Sequence, residues 1–344
     1  MSNRVIPTKI VKATGSVSKL VTKSNIAVTQ TSKLQSEKAK QSNSNSPKPE
    51  PNPKPRSTSA PKPTPKPKPK PKPKPKPPVL TVKKGLLIGI NYVGTPNALA
   101  GCINDIDNIK NLLISNNYFK DNELVIMNDN SQSDLYPTKA NIIKQLANLV
   151  TFANNNKNNN IVLFLSYSGH GSYVMDKNGD EIDGRDEVIC PIDFQNSGFI
   201  IDDYIRGQFI DKLPSNVKIV MLFDSCFSGT VCDLKYFYKV DNNNTVSAAM
   251  KLSQTKCNAV MISGSRDNQY AADAYEIDPT TNKYEYQGAM SASFIANYSN
   301  NITYNQLITN MRTWLKQRSY TQVPQLTSGK LVNINSSFLL NSFV

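Results

Sequence analysis

Between residues 79 and 344, short apolar runs alternate with stretches whose apolar residues recur at helical spacing. The runs 85–91 (GLLIGIN), 123–127 (ELVIM), 161–167 (IVLFLSY), 217–223 (VKIVMLF) and 258–263 (NAVMIS) are rich in Ile, Val and Leu without strict alternation. Runs of that kind suit parallel strands covered on both faces. Between them Ile106, Ile109, Leu112 and Leu113, then Ile142, Ile143, Leu146, Leu149 and Val150, follow the period of a helix. Thr138 is placed to cap the second helix, a further helix is predicted around 304–318, and the Asn-rich segments 154–160 and 241–245 read as surface loops. The pattern predicts an α/β fold, a central mainly parallel β-sheet flanked by helices on both faces. In such sheets reactive groups gather beyond the carboxyl ends of the strands.

The chain upstream is different in kind. Of 22 prolines, 16 fall before Val79, and residues 47–78 alternate proline with lysine. Fixed φ, missing N–H donors and like charges at every second residue cannot build a core, so residues 1–78 are expected to form a disordered, basic leader. Two uses fit its composition: a stiff polyproline II spacer, or a ligand for Pro-recognition domains or polyanions. Residues 1–78 hold 18 Lys and Arg against 2 Asp and Glu, whereas the remaining 266 residues carry 22 basic and 24 acidic side chains. The net charge of +14 is therefore a property of the leader, and no basic nucleic-acid-binding domain is indicated. Apolar runs long enough for a membrane span or a secretory signal are missing, so the expectation is a cytoplasmic protein with no membrane partner. Five cysteines without a C-x-x-C pair argue for reduced thiols and against a zinc cluster.

Two strand ends carry unusual residues. His170, the sole histidine, follows the run 161–167 inside Ser168-Gly169-His170-Gly171, and Cys226 follows the run 217–223 inside Asp224-Ser225-Cys226. If the sheet is parallel, both leave it at the same edge. A thiol beside an imidazole can be deprotonated for attack on a carbonyl, and the imidazole can then protonate the leaving amine. The N–H groups of Gly171 and Cys226 are candidates to hold the developing oxyanion. A cysteine alone is more often a small buried hydrophobe, and that reading is kept for Cys102, Cys190, Cys232 and Cys257. Carboxylates crowd the same stretch: Asp176, Asp180, Glu181, Asp183, Asp186 and Glu187, then Asp202, Asp203 and Asp233. They suggest a hard cation or a solvated charged loop. An EF-hand is rejected, because Glu181 stands where that loop requires glycine.

The segments Leu99-Ala100-Gly101-Cys102-Ile103-Asn104-Asp105, Tyr167-Ser168-Gly169-His170-Gly171, 180–187 (DEIDGRDE), 191–195 (PIDFQ), Asp224-Ser225-Cys226, 263–269 (SGSRDNQ), Ala272-Asp273, 288–291 (GAMS) and 324–326 (PQL) occur in this order. In that combination the sequence resembles the metacaspases, calcium-dependent cysteine peptidases of the caspase-like clan, across essentially all of 79–344. The leader joined to adjacent large (about 79–240) and small (about 257–344) regions looks like the type I arrangement. The resemblance implies a caspase-like fold with Cys226 as nucleophile and His170 as general acid/base. It further implies calcium ligands at Asp186, Asp202, Asp203 and Asp233, and a primary specificity pocket lined by Asp105, Ser168 and Asp224. A pocket with two carboxylates favours protein or peptide substrates with Arg or Lys before the cleaved bond. One departure is Phe227, where the family usually has histidine, which puts a contact next to the nucleophile in doubt.

The expectation is thus a monomeric, calcium-dependent endopeptidase. By analogy with the family it cleaves itself, between Lys235 and Lys256 or at the leader junction Lys83-Lys84. A weakly active or silent caspase-like scaffold whose leader binds partners is the competing class, and salt-sensitive nucleic-acid binding by the lysine tail ranks below it.

Overall fold

The computed structural model describes residues 6–7, 78–177, 179, 184–226, 228–239, 246–248, 252–264, 272–277 and 284–343. One compact unit contains residues 1–14 and 78–344; a second, residues 15–77, lies outside the described residues, as does nearly all of the expected leader. In chain order the strands are β1 (Ile6–Pro7), β2 (Thr81–Gly89), β3 (Leu124–Asn128), β4 (Asn160–Ser168), β5 (Gly171–Met175), β6 (Arg185–Ile189), β7 (Ile200–Ile201), β8 (Val217–Asp224), β9 (Tyr236–Tyr238), β10 (Val246–Ala248), β11 (Asn258–Ser263), β12 (Ala272–Ile277), β13 (Tyr284–Gly288) and β14 (Gln325–Ser328). The helices are α1 (Cys102–Ser115), α2 (Lys139–Asn155), α3 (Phe194–Ser197), α4 (Asp202–Tyr204), α5 (Ala289–Asn297) and α6 (Tyr304–Gln317).

All five predicted runs become strands, and together they form the parallel part of an eight-stranded sheet. Its order is β10-β9-β14-β11-β8-β4-β2-β3, with β3, β2, β4, β8 and β11 parallel and β14, β9 and β10 added antiparallel. The continuous hydrophobicity of the runs has the expected cause. In β4, Ile161, Leu163, Leu165 and Tyr167 pack on one core while Val162 and Phe164 pack on the other, and β8 and β11 alternate the same way. α2 closes the first core with Ile142, Leu146 and Leu149. α1, α5 and α6 close the second with Ile106, Ile109, Met290, Phe294, Leu307 and Met311. Burying each such side chain contributes about 1.5–3 kcal/mol.

Thr138 caps α2 as expected, its hydroxyl accepting from Asn141 N at 3.3 Å. The helix predicted at 304–318 runs Tyr304–Gln317 behind a Thr303/Gln306 capping box. α1 is capped from a distance: the side-chain oxygen of Asn91, just past β2, accepts from Cys102 N at 2.9 Å and Ile103 N at 3.3 Å. That bond fixes where the first turn of α1, and with it Asp105, stands relative to the strand ends.

Two features differ from the sequence reading. Ile6–Pro7, assigned to the leader, pair antiparallel with Ala272–Asp273 as an edge strand, a position that tolerates a residue with no N–H. Lys83 and Lys84, expected as a self-cleavage junction, lie inside β2 opposite Val162 and Leu163 of β4. Lys83 Nζ also donates to Tyr118 O at 2.8 Å and to Phe343 O. A bond held in a sheet ladder cannot enter a protease cleft without unfolding, so that candidate is withdrawn.

Candidate active site

β4 and β8 are adjacent and parallel, with Ser168 opposite Asp224. Both chains therefore leave the sheet together, and Gly169 N donates to Asp224 O at 3.3 Å. His170 lies two residues past the end of β4 and Cys226 two past the end of β8. Gly171 brings the two segments into contact, since a Cβ added there would lie 2.0 Å from Cys226 O. Only glycine permits this approach. His170 and Cys226 are both buried, and so are the other four cysteines.

The imidazole is held on several sides. Its Nε2 lies 2.7 Å from Asn97 O, and a carbonyl can only accept, so Nε2 carries the proton and Nδ1 keeps the lone pair. The His170 backbone N–H donates to the Tyr92 hydroxyl at 3.0 Å, and His170 O accepts from the Tyr167 hydroxyl at 2.7 Å and from Cys190 N at 3.1 Å. The two hydroxyls lie 3.2 Å apart, and Tyr92 also donates to Cys190 O at 2.6 Å. The Tyr92 ring stands 4.7 Å from the imidazole, tilted by 40°. Burial pushes the His170 pKa below its ordinary value, and the Asn97 carbonyl opposes this only in part.

Asp105, Ser168 and Asp224 lie close together at the strand ends. Ser168 Oγ donates to Asp105 Oδ2 at 2.5 Å, Gly288 N donates to Asp105 Oδ1 at 2.7 Å, and Ser291 N donates to Asp224 Oδ2 at 2.7 Å. Gly288 sits between the carboxylates. A Cβ there would lie 2.2 Å from Asp224 Oδ2 and 2.7 Å from Asp105 Oδ2.

Asp186, Asp202 and Asp203 also converge, each offering a carboxylate oxygen within 4.8 Å of the others, with Asp186 and Asp202 buried. Asp233 is buried near enough for its charge to act on Asp202 but is not one of the converging triple. Burial raises the Asp202 pKa to about 8, with the negative charges of Asp233 and Asp186 adding to it and N–H bonds from Asp203 and Glu187 opposing it. The donor set is all oxygen, partly buried and mutually repelling, which fits a hard divalent cation. Asp176 belongs elsewhere: its Oδ1 accepts from Gly179 N at 2.7 Å in the β5–β6 connection, between strands as the rejection of an EF-hand required. Asp180, Glu181, Asp183 and Phe227 lie outside the described residues, as does most of the segment 240–251.

Sequence reasoning missed Asn97, which acts through a backbone carbonyl and leaves no side-chain signal. It also missed Tyr92, whose φ of +51° is an unusual backbone conformation that only the structure reveals.

A family model described as the metacaspase, peptidase C14 domain matches residues 83–235. The chain is 36% identical over 310 residues to Metacaspase-1 of Eremothecium gossypii, covering 75% of this chain and 66% of that protein. It is 36% identical over 307 residues to that of Kluyveromyces lactis (75% and 68%) and 35% identical over 309 residues to that of Saccharomyces cerevisiae strain S288c (75% and 69%). It thus spans about two thirds of the length of these relatives. Among solved structures, a protein of Geobacter sulfurreducens superposes with a TM-score of 0.47 at 21% identity, covering 73% of this chain and 94% of that one. On the strength of the identity to its yeast relatives, the chain belongs to the metacaspases, cysteine peptidases of the caspase-like clan.

Proposed function

We propose that the protein is a calcium-dependent endopeptidase that cleaves after Arg or Lys, with Cys226 as nucleophile and His170 as general acid/base. The observation that carries this reading is the junction at Gly171, where the segments bearing the two residues meet at one sheet edge. With Nε2 engaged by Asn97 O, Nδ1 is the nitrogen able to take the thiol proton. The Cys226 sulfur then bonds to the scissile carbonyl carbon, and the negative charge moves to the carbonyl oxygen. Because Cys190 N donates to His170 O, Gly171 and Ile189 form a non-hydrogen-bonded pair of the β5–β6 ladder. The Gly171 N–H is therefore not committed to β6 and is available for the oxyanion beside Cys226 N–H. Collapse breaks the C–N bond as Nδ1–H protonates the leaving amine. Water, deprotonated by Nδ1, resolves the thioester and returns the sulfur to its thiol.

Two carboxylates around Gly288 supply the charge-assisted hydrogen bonds that a substrate guanidinium or ammonium needs. Asp186, Asp202 and Asp203, with Asp233 beside them, would hold the calcium ion, which supplies the positive charge that offsets their repulsion. Self-cleavage is proposed only within 235–256. The reading includes a monomer working in the cytoplasm, with the leader dispensable for chemistry. A fluorogenic Arg peptide tests it: turnover should need calcium and vanish in Cys226→Ala. Equal turnover in the variant would remove the peptidase mechanism, and equal turnover in chelator would remove the calcium requirement.

A further inference from the structure

Arg206 is a buried cation that the proposed chemistry does not use. It sits on the π-helical turn Ile205–Phe209, which directly follows α4 and its two carboxylates, Asp202 and Asp203. Each nitrogen of its fork has a separate partner. Nε donates to Asp211 Oδ1 at 3.0 Å, Nη1 to Asp233 O at 2.5 Å, and Nη2 to Ser253 O at 2.9 Å. Two of these are backbone carbonyls, 20 positions apart in sequence, on either side of the segment 240–251.

Asp233 needs such a hold. It adopts φ of +46°, a left-handed conformation unfavourable for a residue with a Cβ, and its N–H closes a tight turn onto Thr230 O at 2.7 Å. The same turn is tied to the carboxylate cluster from its other side, because Thr230 Oγ1 donates to Glu187 Oε2 and Glu187 N donates to Asp202 Oδ2 at 2.6 Å. Arg206 and Thr230 thus pin both ends of the short loop that sets where the Asp233 carboxylate stands.

We propose that Arg206 is a positioning residue for calcium: its fork fixes the Asp233 turn against α4 and the segment entering β11, so that Asp233 joins Asp186, Asp202 and Asp203 around the ion. This inference rests on the calcium reading above. It makes cation affinity depend on Ser253, at the downstream end of the segment in which self-cleavage is proposed, so the two ends of a cut chain would remain joined through one guanidinium.

The sign of one measurement separates positioning from charge. A cation near a calcium site repels the ion, so if Arg206 acted only as a charge, Arg206→Gln would bind calcium more tightly. If it positions Asp233, Arg206→Gln binds more weakly, and so does Arg206→Lys, which keeps the charge but loses the fork. Calcium titration by calorimetry, with terbium luminescence as a second readout, is carried out on the full chain carrying Cys226→Ala, which prevents self-cleavage. The expected result is a Kd raised about tenfold or more in both variants. Asp211→Asn, which removes the ion pair but leaves both carbonyl contacts, should stay within threefold. With Cys226 intact, Arg206→Lys should recover its kcat at saturating calcium, its half-activating concentration shifted by the same factor as Kd. An unchanged or lower Kd in the Arg206 variants, or an equal shift in Asp211→Asn, overturns the proposal. A parent chain that binds no calcium removes the calcium reading and this inference together, whereas binding that ignores Arg206 removes the inference alone.

Discussion

Gly288→Ala adds one methyl group between the two carboxylates proposed to grip the substrate's cationic side chain. Gly288 has φ of −65° and ψ of 133°, a conformation open to any L-residue, so the perturbation is steric and not conformational. The new Cβ would lie 2.2 Å from Asp224 Oδ2 and 2.7 Å from Asp105 Oδ2. Ordinary contact begins near 3.4 Å, so those oxygens must retreat by about 1.2 and 0.7 Å. A shift of about 1.2 Å away from Ser291 N, now 2.7 Å distant, would carry Asp224 Oδ2 beyond hydrogen-bond reach of it. A charge-assisted hydrogen bond is worth about 1.5–3 kcal/mol, and each 1.4 kcal/mol is a factor of ten. Arg-peptide kcat/KM should therefore fall roughly 10- to 100-fold, mostly through KM, and the preference for Arg over an uncharged Gln peptide should shrink in proportion. The assay is steady-state hydrolysis of the matched peptide pair, with circular dichroism to establish folding. A folded variant with kcat/KM within threefold of the parent and an intact Arg preference would refute the assignment of these carboxylates to the substrate.

Three further outcomes follow from the same geometry. His170 holds its proton less readily than the ordinary imidazole, whose pKa is 6.5, so the acid limb of kcat/KM should have its midpoint below pH 6.5. The sign for stability agrees: below pH 6.5 the unfolded chain takes up a proton the native one resists, so stability is lost as pH falls from there toward the native value. An acid limb above pH 6.5, or melting temperatures flat across that window in the parent but not in His170→Gln, would contradict it. Tyr92→Phe leaves the buried His170 N–H without its acceptor and removes from Cys190 O the hydroxyl that donates to it at 2.6 Å. The cost should be about 1–3 kcal/mol in urea unfolding, with a drop in kcat; unchanged stability would show that the hydroxyl is not needed there. Thr138→Ala removes the cap of α2 and should cost about 1 kcal/mol in urea unfolding, with kcat/KM unchanged. Lost activity would mean that α2 is coupled to the site.

The parts of this fold legible in the sequence are those whose physics is local. Residues 161–167 and 258–263 read as strands because both their faces are buried, so no polar alternation interrupts them. The apolar run begins at Gly85 although β2 starts at Thr81, because Lys83 and Lys84 break the run; Lys83 fits by carrying its ammonium to the carbonyls of Tyr118 and Phe343. β9 and β14, of three and four residues, owe their existence to pairing with each other and with β11, which no window of sequence contains. The candidate site divides the same way. His170 and Cys226 stand out by type and by their places after strong strands. Asn97 contributes a carbonyl, Gly288 a missing methyl and Arg206 two bonds to distant backbone, and none of these contributions has a composition.

The two carboxylate groups show why residue type alone could not assign their roles. Asp105 and Asp224 are separated by a glycine, and each receives backbone or hydroxyl donors that orient it, from Gly288, Ser168 and Ser291. Two oriented negative charges suit one planar or compact organic cation, and the donors Gly288 and Ser291 come from the small region, so the proposed pocket is complete only when both regions of the chain are folded together. Asp186, Asp202 and Asp203 approach within 4.8 Å of one another with a fourth carboxylate beside them, and burial, with the charges of Asp233 and Asp186 adding to it, raises the Asp202 pKa to about 8. An all-oxygen donor set of this kind is what the proposed calcium ion would need. Arg206 hydrogen-bonds the carbonyl of the fourth carboxylate's residue and pairs its own charge with Asp211. In the proposed site it would therefore organise the backbone at Asp233, and calcium would supply the charge.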